Sequence, residues 1–306
     1  MSTDPVPTTR SPASVTTPES VLRRLEWQVI RRLDGRLQGD YRTLFRGIGI
    51  DFADLRDYEP GDDVRHIDWN VTARMDTPYV RTYLEDRELT AWLLLDRSPS
   101  MGFGPTERSK DQVLIELATT IARLLTRSGN RVGAILYNNA VERMIPPRTG
   151  RNQVLGLTHD LLRPAVATGT ATDLTGLVSA AASTIKRRSV VVIISDFISV
   201  PGWERPLSLL GRRHELVAIR LFDPRELELP DAGLIVVEDA ETGELLSVDT
   251  SDPAFRLRFR AVAEARQHEL QAAARRAGVD LHEVSTEDDL VRALLRIVEL
   301  RRRRRR

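Results

Sequence analysis

Cysteine is absent from this 306-residue chain, which removes disulfides, thiolate nucleophiles and Cys-ligated zinc together. A charge imbalance is also missing. Lys and Arg number 45 against 44 Asp and Glu, so the net charge of +1 selects neither nucleic acid nor an acidic substrate. No run approaches the roughly 18 apolar residues of a membrane span; the best, at 93–95 and 190–194, have strand length. The first twenty residues, rich in Pro, Thr and Ser, lack the apolar stretch of a secretion signal. These absences lead to the expectation of a soluble, cytoplasmic protein with no transmembrane segment.

Catalytic signatures are scarce as well. The chain has no Gly-x-x-x-x-Gly-Lys-Ser/Thr, so ATP hydrolysis by a P-loop is not expected. Gly47-Ile48-Gly49 lacks the third glycine and the preceding strand of a dinucleotide fingerprint, and no Gly-x-Ser-x-Gly elbow occurs. His66, His159, His214, His268 and His282 are scattered, without a His-Glu-x-x-His pair, and read as surface or packing residues. No enzyme activity is expected from this inventory.

With 41% hydrophobic residues, the chain can bury a sizeable core. Residues 1–17 are too polar and Pro-rich to pack and read as a disordered tail. Over 18–37, Val21, Leu22, Leu25, Val29, Ile30 and Leu33 recur at helical spacing. Turn chemistry dominates 39–88, giving an N-terminal subdomain over 18–88 that includes the helix. Its charged segment, with Asp62, Asp63, Arg65, Asp68 and Arg74, reads as a salt-bridged clasp in which Trp69 anchors a core.

From 89 to 300 strand and helix alternate. Strands are expected at 89–95, 132–137, 190–194 and 216–221, and helices at 111–127, 151–162, 173–186 and 205–213. This is an α/β pattern with a mainly parallel sheet and helices on both faces. A hairpin insertion at about 230–250 precedes a long helix (254–277), a last strand (279–284) and a closing helix. The closing helix is expected to start at Ser285, with Glu287, Asp288 and Asp289 at its positive end. Residues 301–306 are a poly-Arg tail; without aromatic interleaving it reads as a solvated helix end rather than a specific nucleic-acid binder.

The run Leu93-Leu94-Leu95-Asp96-Arg97-Ser98-Pro99-Ser100 carries the sharpest chemistry. An apolar strand ends in an aspartate, and two serines follow at alternating positions. One tight loop thus offers three oxygen ligands of the kind magnesium takes. It lies where open α/β sheets bind ligands, beyond the carboxyl ends of the strands. The segment 168–174, with Thr168, Thr170 and Thr172, opens a helix and could turn one hydroxyl into the same crevice. A second buried strand ends in Ser195-Asp196. Hydroxyls are weak ligands and the carboxylates number only two, so a bound cation would stay electrophilic, ready for a Glu or Asp from a partner. The bland alternative is a strand-to-helix turn in which serines serve as caps.

These residues resemble the metal-ion-dependent adhesion site of von Willebrand factor A domains, whose pattern is Asp-x-Ser-x-Ser, then Thr, then Asp. The resemblance implies Asp96, Ser98, Ser100, Thr172 and Asp196 as ligands of Mg2+ or Mn2+, with Thr170 the alternative threonine and Asp196 acting through water. Upstream, Phe52-x-x-Leu55-Arg56-x-Tyr58-x-Pro60-Gly61-Asp62-Asp63-x-Arg65-x-Ile67-Asp68-Trp69, then Ala73-Arg74 and Arg81, resembles the bacterial family labelled domain of unknown function 58. That resemblance implies a MoxR-type AAA+ ATPase as partner, and an adaptor or co-chaperone role toward a client protein.

Two rivals follow from the same residues. A magnesium-dependent phosphohydrolase also ends its first strand in an aspartate, but needs an acid two residues on, where this chain has Ser98. A serine hydroxyl does not shuttle protons at neutral pH as a carboxylic acid does. A scaffold with a vestigial site would bind its partner without metal.

Overall fold

In the computed structural model of the chain, the described residues are 16–33, 54–59, 64, 67, 69–75, 77–82, 89–105, 108–165, 171–238 and 243–304. Outside them lie most of the expected tail, the Gly47-Ile48-Gly49 turn, the clasp residues Asp62, Asp63, Arg65 and Asp68, the alternative ligand Thr170, and the last two arginines.

Helix α1 (Pro18–Leu25) begins in a reciprocal cap between Thr17 and Ser20, with Pro18 in the first turn. A π turn (Glu26–Ile30) extends it. Its periodic apolar residues, Val21 through Leu33, enter the same core as the main sheet. Strand β1 (Asp54–Asp57) pairs antiparallel with β2 (Tyr79–Thr82), and α2 (Trp69–Met75) lies between them in sequence. Trp69 is 69% exposed, which corrects the expectation that it anchors a core. Helical side chains lean toward the helix N-terminus, so the ring of a first helical residue overhangs no turn of its own helix.

The α/β part runs through β3 (Thr90–Asp96), α3 (Lys110–Arg127), β4 (Arg131–Tyr137), β5 (Val141–Arg148), α4 (Arg151–Leu161) and α5 (Leu174–Thr184). It continues with β6 (Val190–Ser195), α6 (Glu204–Arg213), β7 (Glu215–Phe222) and the hairpin β8 (Leu234–Glu238) and β9 (Leu245–Asp249). Helix α7 (Pro253–Ala277), β10 (Asp280–Ser285) and α8 (Leu290–Arg304) complete it. Six strands form one sheet in the order β10-β7-β6-β3-β4-β5, all parallel except β5. The chain therefore winds outward from β3 through β4, then returns to the other side of β3 at β6. That reversal opens a crevice beyond the carboxyl ends of β3 and β6, where doubly wound sheets place ligands.

Strands buried on both faces need continuous apolar runs, and β3 and β6 have them. Leu93 and Leu95 join the core under α1, α3, α4 and α8, while Trp92 and Leu94 join the opposite core under α5 and α6. The edge strand β5 was not among the expected elements. Pro146 and Pro147 argue against a central strand, and an antiparallel edge is where prolines are tolerated. Gly133 lets β5 come close, since a Cβ there would stand 3.0 Å from both the Ile145 carbonyl and the Trp92 ring.

Two C-terminal expectations are corrected. Helix α8 starts at Leu290 with Asp289 as its cap, accepting the Arg292 N–H at 3.1 Å; Ser285 instead opens a turn in which its own N–H reaches Asp288. Arg301, placed in a solvated tail, is buried and ion-paired with Glu215 on β7. Arg301 continues the helical phase of the buried Leu294, Ile297 and Val298, so it faces the sheet.

Candidate metal centre

Asp96, the last residue of β3, is fully buried. One carboxylate oxygen accepts the Ser98 N–H at 2.9 Å, and the other accepts the Ser195 hydroxyl at 2.5 Å. The Ser98 and Ser100 hydroxyls stand 3.1 Å apart, both buried, on a 3-10 turn (Pro99–Gly102) whose Met101 plugs the core. The turn cannot drift. The Arg97 N–H bonds the Tyr137 carbonyl at 2.8 Å, and its buried guanidinium reaches Glu142 at 3.1 Å and carbonyls at the α4 C-terminus, Leu161 and Arg163. A cation at a helix C-terminus is electrostatically favoured.

Strand β6 delivers Ser195 and Asp196 to the same end. Ser195 donates to Asp96 and accepts the Phe197 N–H at 2.8 Å. Phe197 has a left-handed backbone, φ 58°, unusual for a bulky residue. Its buried ring holds that turn against Trp203, with centroids 5.4 Å apart. Asp196 accepts the Ile198 N–H at 2.9 Å on one oxygen and the Lys110 ammonium at 2.7 Å on the other. Lys110, the first residue of α3, is wholly buried and bridges Asp196 to Glu226 on the turn after β7.

Thr172 is buried just before α5, and its carbonyl accepts the Val200 N–H at 2.9 Å from the loop after β6. Asp173 caps α5 by accepting the Thr175 N–H, and its own N–H goes to Asn139 at 2.9 Å, from the loop after β4. The Tyr137 hydroxyl donates to the Asp173 carbonyl at 2.8 Å. This is possible because residue 176 is glycine: a Cβ there would lie 2.1 Å from the phenol oxygen. Loops from β3, β4, β6 and the α5 start thus meet at one sheet edge. The structure links Asp96, Ser98 and Ser100 directly and brings Asp196 alongside through Ser195. Thr172 is held on the adjoining loop by its backbone.

The electrostatics are unbalanced. Burial, then the neighbouring Asp196 charge, pushes the Asp96 carboxyl up to about 7, against the hydrogen bonds from Ser195 and Ser98. Burial works against the Lys110 ammonium too, but Asp196 and Glu226 outweigh it and hold its pKa above the usual lysine value. Asp196 and Glu226 share the Lys110 ammonium, whereas the charge acting on Asp96 is the repulsive one of Asp196, so added positive charge beside Asp96 would be stabilising. The donor set, a buried carboxylate next to two hydroxyls and near a second carboxylate, fits a hard divalent cation. Among the described residues no group of three or more His, Asp or Glu side chains gathers in metal-holding fashion, so hydroxyls and water would have to complete the shell. Lys110 already occupies one oxygen of Asp196, which suits a role for that aspartate through water.

Sequence reasoning missed Ser195, Lys110 and Glu226. A signal for Lys110 was present: it sits one turn before Leu114 on the stripe Leu114, Leu117, Ala118 and Ile121, all buried. A lysine aligned with a buried stripe implies a buried anion to meet it. Glu226 carried no such signal, because its partner lies 116 residues away.

The family model described as "Protein of unknown function DUF58" matches residues 54–269. An uncharacterized protein of Mycobacterium tuberculosis is 39% identical over 289 residues, covering 93% of this chain and 90% of the relative. A second, from Mycobacterium avium, is 35% identical over 160 residues, or 52% of this chain and 94% of the relative. Among solved structures, the conserved hypothetical protein BatB from Bacteroides thetaiotaomicron is similar at 12% identity with a TM-score of 0.46, covering 70% of this chain and 99% of that one. The SpRpn10 VWA domain is similar at 15% identity with a TM-score of 0.36, covering 68% and 93%.

Proposed function

The chain belongs to the DUF58 family, and from that premise we propose that it is a metal-dependent protein-binding adaptor or co-chaperone. It works with a MoxR-type AAA+ ATPase to present a client protein, and it catalyses no reaction of its own. The observation that carries this reading is the buried Asp96–Ser98–Ser100 loop meeting Asp196 at the reversal point of the sheet. Asp96, Ser98, Ser100 and Thr172 hold Mg2+ or Mn2+, Asp196 acts through water, and a carboxylate of the partner completes the shell. A cation short of strong ligands binds a partner carboxylate well, which is how such a site grips an acidic residue. The described residues contain no helix long and apolar enough to cross a membrane.

Lys110 favours a second reading. It already compensates Asp196 without any metal, as a metal-independent scaffold would require. A crosslinking pull-down from the native host separates the two, using wild type and Asp96→Ala, each in magnesium or in EDTA. Enrichment of a AAA+ ATPase or client only with wild type in magnesium supports the adaptor. The same proteins in all four samples support the scaffold.

A further inference from the structure

The segment between β7 and β10 projects as an arm with an unusual division of charge. Residues 226–255 contain nine Asp and Glu and no Lys, Arg or His, whereas Arg256, Arg258, Arg260 and Arg266 follow on α7 with Glu264 the one acid among them. The acidic half is the β8–β9 hairpin. Its outward face carries Leu234, Val236 and Leu245, which are 75%, 65% and 66% exposed, beside Glu238 and Asp249. The basic half is the outer side of α7. Leu257 and Val262 are 70% and 64% exposed there, with Ala261 and Ala265 following Leu257 at helical spacing and Arg258 beside them. Only the last turns of this 25-residue helix are buried, through Ala273, Ala274 and Ala277.

A lone two-stranded hairpin is marginal in water, and this one exposes apolar side chains that a monomer gains nothing by displaying. The arm itself is held together at its base. Thr250, fully buried, accepts the Ala232 N–H at 3.0 Å and donates to the Gly233 carbonyl at 2.7 Å, while Arg256 and Arg260 pair with Asp231 and Glu228. Those ion pairs show that arginines of α7 and carboxylates of the segment leading into the hairpin are complementary. They leave the outer faces of both halves uncovered.

From this division we propose that the arm is a homodimer interface, in which the acidic apolar hairpin of one copy covers the basic apolar side of α7 in a second copy. Two-fold pairing makes both contacts at once, because each arm carries both halves; self-complementarity of this kind is what an isologous interface requires. The occupant is a second copy because both surfaces it must match, one acidic and one basic, are on the same chain. The proposal is independent of the metal centre.

Sedimentation velocity of the full chain over about 1–100 μM tests it, a range that brackets micromolar association. Wild type is expected to dimerise. Leu234→Glu with Val236→Glu is expected to weaken dimerisation at least about tenfold, with an unchanged circular dichroism spectrum and, at concentrations where both proteins are monomeric, an unchanged melting temperature, since neither side chain is in the core. Arg258→Glu alone and Glu238→Arg alone are expected to weaken self-association, and an equimolar mixture of the two to restore a dimer. A wild-type monomer throughout the range overturns the proposal, whether or not that monomer then binds a cationic amphipathic peptide. A dimer indifferent to the double glutamate substitution also overturns it.

Discussion

The carboxyl edge of the sheet and the arm are built from similar residues put to opposite use. At the sheet edge, Asp96, Lys110 and Asp196 are polar groups drawn into the interior, with Lys110 matched to Asp196 and to the part-buried Glu226. In the arm, Leu234, Val236, Leu245 and Leu257 are apolar groups left in solvent. Charge inside and hydrocarbon outside each cost free energy in isolation. The contrast teaches that each region departs from the ordinary partition, and the cation and the second copy proposed above would each relieve one departure.

The largest effect is expected from removing the buried ammonium. Lys110→Met leaves Asp196 and Glu226 without their shared cation, and breaking a buried pair from one side costs about 3–5 kcal/mol. Urea denaturation checks this, and an unchanged midpoint would mean that the pair is solvated. Adding back a divalent cation should recover part of the loss if the centre binds metal.

Next comes pH. His282 on edge strand β10 is buried, and burial together with Arg301 and Arg296 lowers its pKa to about 4 from the ordinary 6.5. The folded state therefore resists protonation. Above 6.5 the imidazole is neutral in both states and contributes nothing to the pH dependence. As pH falls below 6.5 the unfolded chain takes up the proton first, and stability is lost until about 4, to a ceiling on the order of 3 kcal/mol. Comparing urea midpoints of wild type and His282→Gln at pH 7 and pH 4.5 reads the difference; equal pH dependence in both proteins would refute it.

A smaller effect tests how the Thr172 loop is held. Gly176→Ala places a methyl against the Tyr137 hydroxyl, with an expected cost of about 1–3 kcal/mol for overpacking and weaker metal binding as the Asp173 contact is displaced. Tyr137→Phe in the same background should remove the closest contact, leaving the ring carbon at 2.9 Å, and recover part of the stability. The smallest effect belongs to the arm. Val236→Ser is expected to change monomer stability by no more than about 0.5 kcal/mol, as for surface positions generally, and a larger loss would show that the hairpin belongs to the core.

Much of the sheet-edge region was legible beforehand. Residues 91–95 and 190–194 are apolar throughout, as parallel strands covered on both faces require, and Asp96 and Ser195-Asp196 at the ends of those runs stand out. The meeting of Ser98 and Ser100 on the loop after Asp96 followed from local spacing. Long-range partners were not legible: Lys110 meets Glu226 across the fold, and no local pattern encodes that pairing. Strand β5 was hidden by Pro146-Pro147, which local rules read as turn. The arm was read as a hairpin and a helix at nearly the observed positions, yet its exposure was invisible, since Leu234-Ile235-Val236-Val237 has the composition of a buried strand. Periodicity reports which residues share a face, not whether anything covers it.

The central claim is that the Asp96 loop is a cation site. Isothermal titration of Mn2+ into the purified full chain tests it, with wild type beside Asp96→Ala and the fold of both verified by circular dichroism. One bound ion per chain in wild type and none in the variant is the predicted result. No binding to wild type, or equal binding to both, would contradict it.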